Sequence, residues 1–277
     1  MSLRRREGLV RLARKYDALV ISDDVYDFLQ WPTSGKTTPE RPPEMRLPRL
    51  CDIDRAMGFD AGSDPEGFGH AISNASFSKI AGPGVRTGWV EASRAFAKGL
   101  SMTGSSRSGG APSQLCAAIV SDLVHSGELE NHIETALRPT LQRRHALVMD
   151  AIGRYISPLG GVVVRESSLT GAQIYGGFFV WFTLEIGLPT KAIAEAALEE
   201  ENLIIGSGNM FEVHGDEAGA KFDKEIRLCF AWESEENLIE GIKRLGDLVQ
   251  RIQQNKAHYE AQARSRVQGA DFVNSIK

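Results

Sequence analysis

The stretch Ser76-Phe77-Ser78-Lys79-Ile80-Ala81-Gly82-Pro83-Gly84-Val85-Arg86-Thr87-Gly88-Trp89 decides how this chain is read. Just before it, Ala71-Ile72-Ser73-Asn74-Ala75-Ser76 has the texture of a strand, and Arg86-Thr87-Gly88-Trp89-Val90 reads as the next one. Between them Gly82 and Gly84 let the backbone turn tightly. A lysine placed just past a buried strand loses solvent, and desolvation lowers the pKa of its amine, which imine chemistry needs. Ser76, three residues before Lys79, and Arg86, seven after it, can converge on one anion. A hydroxyl and a guanidinium fork suit a phosphate. On composition alone the same residues read as a surface lysine in a turn and an arginine in a salt bridge, since most lysines and arginines are simply solvated.

Upstream, Ala18-Leu19-Val20-Ile21-Ser22 is a continuous apolar run, the pattern of a strand buried on both faces of a parallel sheet. It ends in Asp23-Asp24-Val25-Tyr26. The carboxyl end of a parallel strand is where α/β proteins bind ligands. A buried carboxylate there keeps a pyridine nitrogen protonated, and a tyrosine hydroxyl three residues on reaches a phenolic oxygen. The alternative is an acidic strand end that opens a turn. Before this strand, Leu9, Leu12, Ala13 and Tyr16 mark the apolar face of a helix. Residues 32–70, with Pro32, Pro39, Pro42, Pro43, Pro48 and Pro65, read as a long surface excursion.

Downstream, Ser105 to Gly110 is a Gly/Ser-rich loop, and Pro112 suits the first turn of a helix carrying Cys116, Ile119, Val120, Leu123 and Val124. A longer helix follows through Leu137, Leu141, Val148, Ile152 and Tyr155, bent at Pro139. From about residue 155 the texture changes. Short strands at 162–164, 178–182, 203–205 and 226–230 alternate with one helix after Pro189-Thr190 and another capped by Ser234. The latter has Glu235 and Glu236 at the positive end of its dipole and Leu238, Ile242, Leu245, Val249 and Ile252 on one face. Arg227 sits inside the apolar strand Glu225-Ile226-Arg227-Leu228-Cys229-Phe230 and needs a partner there. That partner is either a bidentate carboxylate ligand or a structural ion pair. From about Asn255 the chain is polar, a frayed helix or a tail.

The charge balance gives no electrostatic case for nucleic acid or an anionic membrane: 32 basic against 36 acidic residues, net −4, over 277 residues. No apolar run is long enough to span a bilayer, and Met1-Ser2-Leu3-Arg4-Arg5-Arg6 lacks the apolar core of a signal peptide. Cys51, Cys116 and Cys229 are scattered, as are the histidines, so no metal site is expected and the thiols read as reduced in a cytoplasmic protein.

Together the three segments resemble the fold type I aminotransferases of classes I and II, over nearly the whole chain. That family places an Asp-x-x-Tyr after a sheet strand, then Ser-x-Ser-Lys-x-x-x-x-Gly-x-Arg-x-Gly, then a carboxylate-binding arginine in a small domain. Here these are Asp23 and Tyr26; Ser76, Ser78, Lys79, Gly84, Arg86 and Gly88; and Arg227. Ser108-Gly109-Gly110-Ala111-Pro112, Gly176-Gly177-Phe178-Phe179-Val180-Trp181 and Gly206-Ser207-Gly208-Asn209-Met210-Phe211 also look familial, with the flavour of the 2-aminoadipate and aromatic-type branch.

The resemblance implies an α/β fold: the remaining half of the large domain of pyridoxal-phosphate-dependent transferases, a parallel-type sheet with helices, plus a smaller α+β carboxyl-terminal domain. It divides the chain into a partial cofactor-binding domain (1–110), interdomain helices (111–155), a small domain (156–254) and a polar tail (255–277). It also implies transamination between an α-amino acid and a 2-oxo acid. Lys79 would carry pyridoxal 5′-phosphate as an internal aldimine and shuttle the substrate proton. Asp23 would pair with the ring nitrogen, Tyr26 with the 3′-oxygen, and Ser76, Ser78 and Arg86 with the phosphate. Arg227 would clamp the substrate carboxylate, and the full-length enzyme would be a homodimer. A lyase or decarboxylase on the same cofactor is a different outcome of the same residues.

Only about twenty residues precede Asp23, so the family's upstream strands, its phosphate-binding loop, a stacking aromatic residue and an Asn-Pro-x-Gly motif have no place. The resemblance therefore covers the carboxyl-terminal half. The expectation is a sheet with an open edge and a chain that binds its cofactor poorly or not at all. A truncated, inactive fragment or a non-enzymatic aminotransferase-like module is the competing reading.

Overall fold

Small and apolar residues from Ala71 to Ser76 build the strand on which the rest of the first sheet hangs. In a computed structural model, which describes residues 1–33, 47–58, 64, 66–107, 113–163, 173–216 and 218–275, this strand, β3, has Ala71, Ile72, Ser73 and Ala75 buried. Numbering in chain order, β1 (Val20–Asp23) runs parallel to β3, from Val20 opposite Ala71 to Asp23 opposite Asn74. β4 (Gly88–Glu91) pairs with the other side of β3, antiparallel, with Ser76 opposite Gly88. The sheet is thus mixed, in the order β1-β3-β4. Asp23 and Ser76 leave it at the same edge, the carboxyl ends of the two parallel strands.

Two expectations about this region are corrected. β1 is an edge strand rather than one buried on both faces: Ile21 is 65% exposed. Its apolar run marks a surface left uncovered among the described residues, a burial that the run alone cannot report. Arg86 and Thr87 precede the strand instead of belonging to it, because Arg86 takes a left-handed conformation that no strand accommodates. The helix α1 (Leu3–Lys15) forms as read, but it buries Val10 and Ala13, while Leu12 and Tyr16 are exposed.

The excursion at 32–70 hides structure that its prolines obscured. β2 (Gln30–Pro32) pairs antiparallel with β6 (Ile174–Gly176), a partner far away in sequence. The short helix α2 (Leu50–Ala56) buries Leu50 and Ile53 against Val10 and Ala71. Its Asp54 carboxylate accepts hydrogen bonds from the Arg14 guanidinium at 2.7 Å and from the His70 backbone N–H at 2.7 Å, tying α1 and α2 to the start of β3. Arg49, just before α2, holds Asp52 at 2.9 Å and Glu91 of β4 at 2.6 Å. The Arg49 hydrogen bonds keep the Glu91 carboxyl below the usual carboxylate range. Residues 34–46 and Pro65 lie outside the described residues, as do Ser108–Pro112 and Val164.

The helices α3 (Arg94–Ser101) and α4 (Gly104–Arg107) lead to α5 (Gln114–His125), of which only Val120 is buried; Ile119 and Val124 of its expected core face are exposed. The long helix read through 137–155 is interrupted before Pro139. After α6 (Glu128–His132) comes a wide π-turn at Ile133–Leu137, then α7 (Arg138–Tyr155). A proline has no N–H to give to the preceding turn, and a π-turn absorbs the defect.

The chain divides into two compact units: Met1–Thr140 with Glu166–Gly177, and Leu141–Arg165 with Phe178–Lys277. The second contains an antiparallel sheet in the order β5 (Gly161–Val163), β7 (Phe179–Leu184), β9 (Glu225–Cys229), β8 (Gly206–Ser207). Residues 203–205, expected as a strand, precede β8, because the pairing with β9 begins at Gly206 opposite Arg227. One face of β7 and β9 buries Val180, Phe182, Leu184 and Ile226. The helices α8 (Thr190–Glu201) and α9 (Glu235–Gln254) supply the rest of this core, and Leu238, Ile242, Leu245, Val249 and Ile252 are all buried as their spacing requires. Ser234 caps α9, its hydroxyl accepting from the Asn237 N–H at 3.2 Å. The polar end of the chain is a further helix, α10 (Lys256–Ser275), the helical one of the two readings of this segment.

Candidate functional site

Lys79 lies on a single 3₁₀ turn, Phe77–Lys79, that leaves β3 directly. Ser76 starts it: its hydroxyl accepts from the Ser78 N–H at 3.0 Å and donates to the Ser78 hydroxyl at 2.7 Å. Arg86 returns to the same place. Its guanidinium donates to the Pro83 carbonyl at 2.9 Å and to the Ser78 hydroxyl at 3.5 Å. Ser76, Ser78 and Arg86 therefore form one cluster: the spacing pointed to Ser76 and Arg86, and the Ser78 hydroxyl links them. Arg86 achieves this from φ 44°, a left-handed conformation that costs a non-glycine residue on the order of 1 kcal/mol. Among the described residues no Asp or Glu lies within 4 Å of its guanidinium, so the cluster presents two hydroxyls and an arginine without a carboxylate counter-charge. Gly88 is required beside it: a Cβ there would sit 2.5 Å from the Ala75 carbonyl oxygen.

Asp23 and Tyr26 belong to the turn that leaves β1. The ladder to β3 extends one step past the strand, the Asp24 N–H donating to the Asn74 carbonyl at 2.8 Å, and the chain then turns with Asp27 N–H to Asp24 carbonyl at 3.0 Å. Asp23, Asp24 and Tyr26 line a cleft of about 260 Å³, together with Arg6, Asp27 and Tyr175. The carboxylate of Asp23 is exposed, which corrects the expectation of a buried one. Asp24 is the more covered of the pair, with one oxygen accepting from the Ser22 hydroxyl at 2.7 Å. Tyr26 packs its ring on Gly177, whose φ of 83° and lack of a side chain make room; a Cβ there would lie 3.2 Å from the Tyr26 ring.

Lys79 connects the two groups. It is half-buried, and its Nζ stands 5.8 Å from the centroid of the Tyr26 ring. Ser76, Ser78 and Arg86 are not part of the lining of the Asp23 cleft. The structure thus brings together Ser76, Ser78 and Arg86, and separately Asp23 and Tyr26, with the Lys79–Tyr26 contact between them.

Arg227 lies in the second unit, on β9. Its guanidinium carbon is 4.1 Å from the centroid of Phe179 and 4.2 Å from that of Phe211. No Asp or Glu among the described residues lies within 4 Å of it, so the structural ion pair weighed for this arginine is not formed there. Sequence reasoning missed the two rings and the close-approach glycines Gly88 and Gly177. The rings stood in the quoted text as Gly-Gly-Phe-Phe and Asn-Met-Phe, but nothing local says which residue they face.

The sequence profile of aminotransferase class I and II matches residues 2–245, and the chain belongs to that family. Pyridoxal phosphate is the family's cofactor. An uncharacterized protein of Saccharomyces cerevisiae is 37% identical over 217 residues, which are 78% of this chain and 45% of the yeast protein. The aromatic-amino-acid aminotransferase 1 of Thermococcus litoralis is 28% identical, across 90% of this chain and 50% of its own length. Among solved structures, the multiple substrate aminotransferase of Thermococcus profundus superposes with a TM-score of 0.68 at 27% identity, covering 92% of this chain and 53% of its own. The chain therefore spans about half the length of the relatives it matches.

Proposed function

We propose that this chain serves pyridoxal-phosphate-dependent transamination between an α-amino acid and a 2-oxo acid, with Lys79 as the residue that holds the cofactor covalently. The observation that carries the reading is the convergence of the Ser76 and Ser78 hydroxyls with Arg86, on the same turn as Lys79. Two hydroxyls and an arginine free of acidic partners among the described residues fit a phosphate dianion, to which a guanidinium donates two parallel hydrogen bonds.

When bound, pyridoxal phosphate supplies an electron sink for charge developing at a substrate α-carbon. The chain's own residues do the rest. Ser76, Ser78 and Arg86 hold the phosphate. Asp23 would pair with the ring nitrogen, and Tyr26 would donate to the 3′-oxygen. Lys79, which would hold the cofactor, would also move the proton at the substrate Cα. Arg227 grips the substrate carboxylate.

The exposure of Asp23 favours a second reading, an aminotransferase-like module without catalytic activity. A carboxylate in water holds a pyridinium weakly, since the attraction falls as the local dielectric rises. Mixing the chain with excess pyridoxal phosphate separates the two. The enzyme reading expects a visible-wavelength absorption band that Lys79→Ala abolishes, and amino transfer to 2-oxoglutarate from at least one amino acid. A band unchanged by Lys79→Ala overturns the assignment of Lys79. A Lys79-dependent band without amino transfer leaves the inactive module.

A further inference from the structure

We propose that Phe179 and Phe211 are positioning residues that clamp the two faces of the Arg227 guanidinium, leaving only its rim of N–H donors to take a planar carboxylate. This rests on the reading of Arg227 as the carboxylate-binding residue and goes beyond it by assigning what sets that arginine's geometry.

The clamp follows from strand pairing. β7 and β9 run antiparallel with Trp181 opposite Arg227, so the two-residue period of a strand puts Phe179, Trp181 and Arg227 on one face. Val180, Phe182 and Ile226 take the other, buried face. Phe179 is the diagonal neighbour of Arg227, within reach of a long side chain. The second ring comes from the 3₁₀ turn Gly208–Phe211 that follows β8. A planar cation has two faces, and two rings whose centroids stand 4.1 and 4.2 Å from the guanidinium carbon are close enough to take one each.

The second ring is itself supported. Phe211 meets the edge of Trp181 with centroids 5.3 Å apart, and Trp181 meets Phe222 at 5.7 Å and 90°. Two glycines make the assembly possible. Opposite Arg227, a Cβ at Gly206 would come within 3.3 Å of the Arg227 carbonyl oxygen and into van der Waals contact with the Phe211 ring at 3.7 Å. At Gly208 a Cβ would lie 2.1 Å from the Phe222 carbonyl oxygen. Glu212 fastens the same loop by accepting the Phe222 N–H at 2.9 Å, which holds its carboxyl below the ordinary range.

The arginine is therefore stacked before any ligand arrives. A free arginine side chain must give up rotamer freedom to bind, and the rings remove that freedom in advance. Stacked rings leave the in-plane donors untouched, and those donors match the two oxygens of a carboxylate.

The test uses the whole chain, labelled with ¹⁵N-arginine and titrated with 2-oxoglutarate. The Arg227 Nε–Hε signal, identified by its loss in Arg227→Lys, is expected upfield of the other arginines from ring currents and to shift on titration. Phe211→Leu is expected to return it to the common region and to weaken 2-oxoglutarate about tenfold, because the ligand must then immobilise an arginine side chain that the ring no longer holds. Phe211→Tyr, which keeps the ring, restores both. Inorganic phosphate titrated against the Ser78 amide reports the other unit and should bind equally to all variants. Unchanged 2-oxoglutarate binding in Phe211→Leu overturns the clamp while leaving Arg227 as the carboxylate residue. Binding by Arg227→Lys equal to the wild type overturns that reading, and the clamp with it.

Discussion

The sheets of the two units differ in how their faces are covered. In the second, residues alternate strictly between a face that buries Val180, Phe182 and Ile226 and a face that carries Arg227 and its aromatic neighbours. In the first, the β1 edge is unpaired among the described residues and Ile21 is largely exposed, yet this sheet presents Lys79, Asp23 and Tyr26. The two arginines show the same contrast. Arg227 is held by packing, beside the rings of Phe179 and Phe211 on a sheet whose other face is buried. Arg86 is held by its backbone, in a left-handed conformation beside two serines. A guanidinium without an acidic partner can thus be positioned either by packing or by local strain, and the second route needs far less core.

The comparison can be broken at several points. The largest effect is expected at Phe182→Ala, which empties a fully buried site and should destabilise the second unit by about 3–5 kcal/mol. Native-state hydrogen exchange at the β9 amides reads it, and a loss below 1 kcal/mol would mean that this core is loose. Arg86→Gly comes next. Glycine adopts φ 44° without strain, so stability should stay within about 1 kcal/mol while affinity for inorganic phosphate falls roughly tenfold. Unchanged phosphate affinity in calorimetric titration would remove Arg86 from the cluster's function.

A smaller effect is expected at Cys51. Burial pushes its thiol from 9.0 up to about 11, against the pull of Arg49. Unfolding lets the proton go at the lower value, so the folded chain holds a proton that the unfolded one has lost. The contribution to stability is present below pH 9.0 and disappears as the pH rises through about 11. Denaturation of the wild type and Cys51→Ala should therefore diverge across that window, and parallel curves would contradict the burial. The smallest effect belongs to Ile21→Ser, expected within about 0.5 kcal/mol because the side chain is already in water. A larger loss by hydrogen exchange at β3 would show that the β1 face is covered after all.

How much of this was legible in the sequence follows from the range of the interactions involved. The Lys79 turn, the Ser76–Ser78–Arg86 convergence and the Ser234 cap are set within a few residues, and they stand where the spacing put them. The buried stripe of α9 was equally plain, because its period is helical. What failed depends on distant partners. β2 exists only through β6, and β8 begins at Gly206 only because β9 lies opposite. The α2 helix was hidden by surrounding prolines, although its Leu50 and Ile53 are core. The apolar run of β1 stated hydrophobicity but not coverage, so Ile21 and Asp23 were expected buried and are exposed. The aromatic clamp joins residues 179, 211 and 227, and no local rule connects them.

The most direct test is to trap the cofactor. The chain is incubated with pyridoxal phosphate, reduced with borohydride, and digested for peptide mass spectrometry. A phosphopyridoxyl group concentrated on Lys79, and lost when Ser76→Ala and Arg86→Gly are combined, is the predicted result. Labelling spread over exposed lysines, with Lys79 no more modified than the rest, would contradict the placement of the cofactor and the enzyme reading built on it.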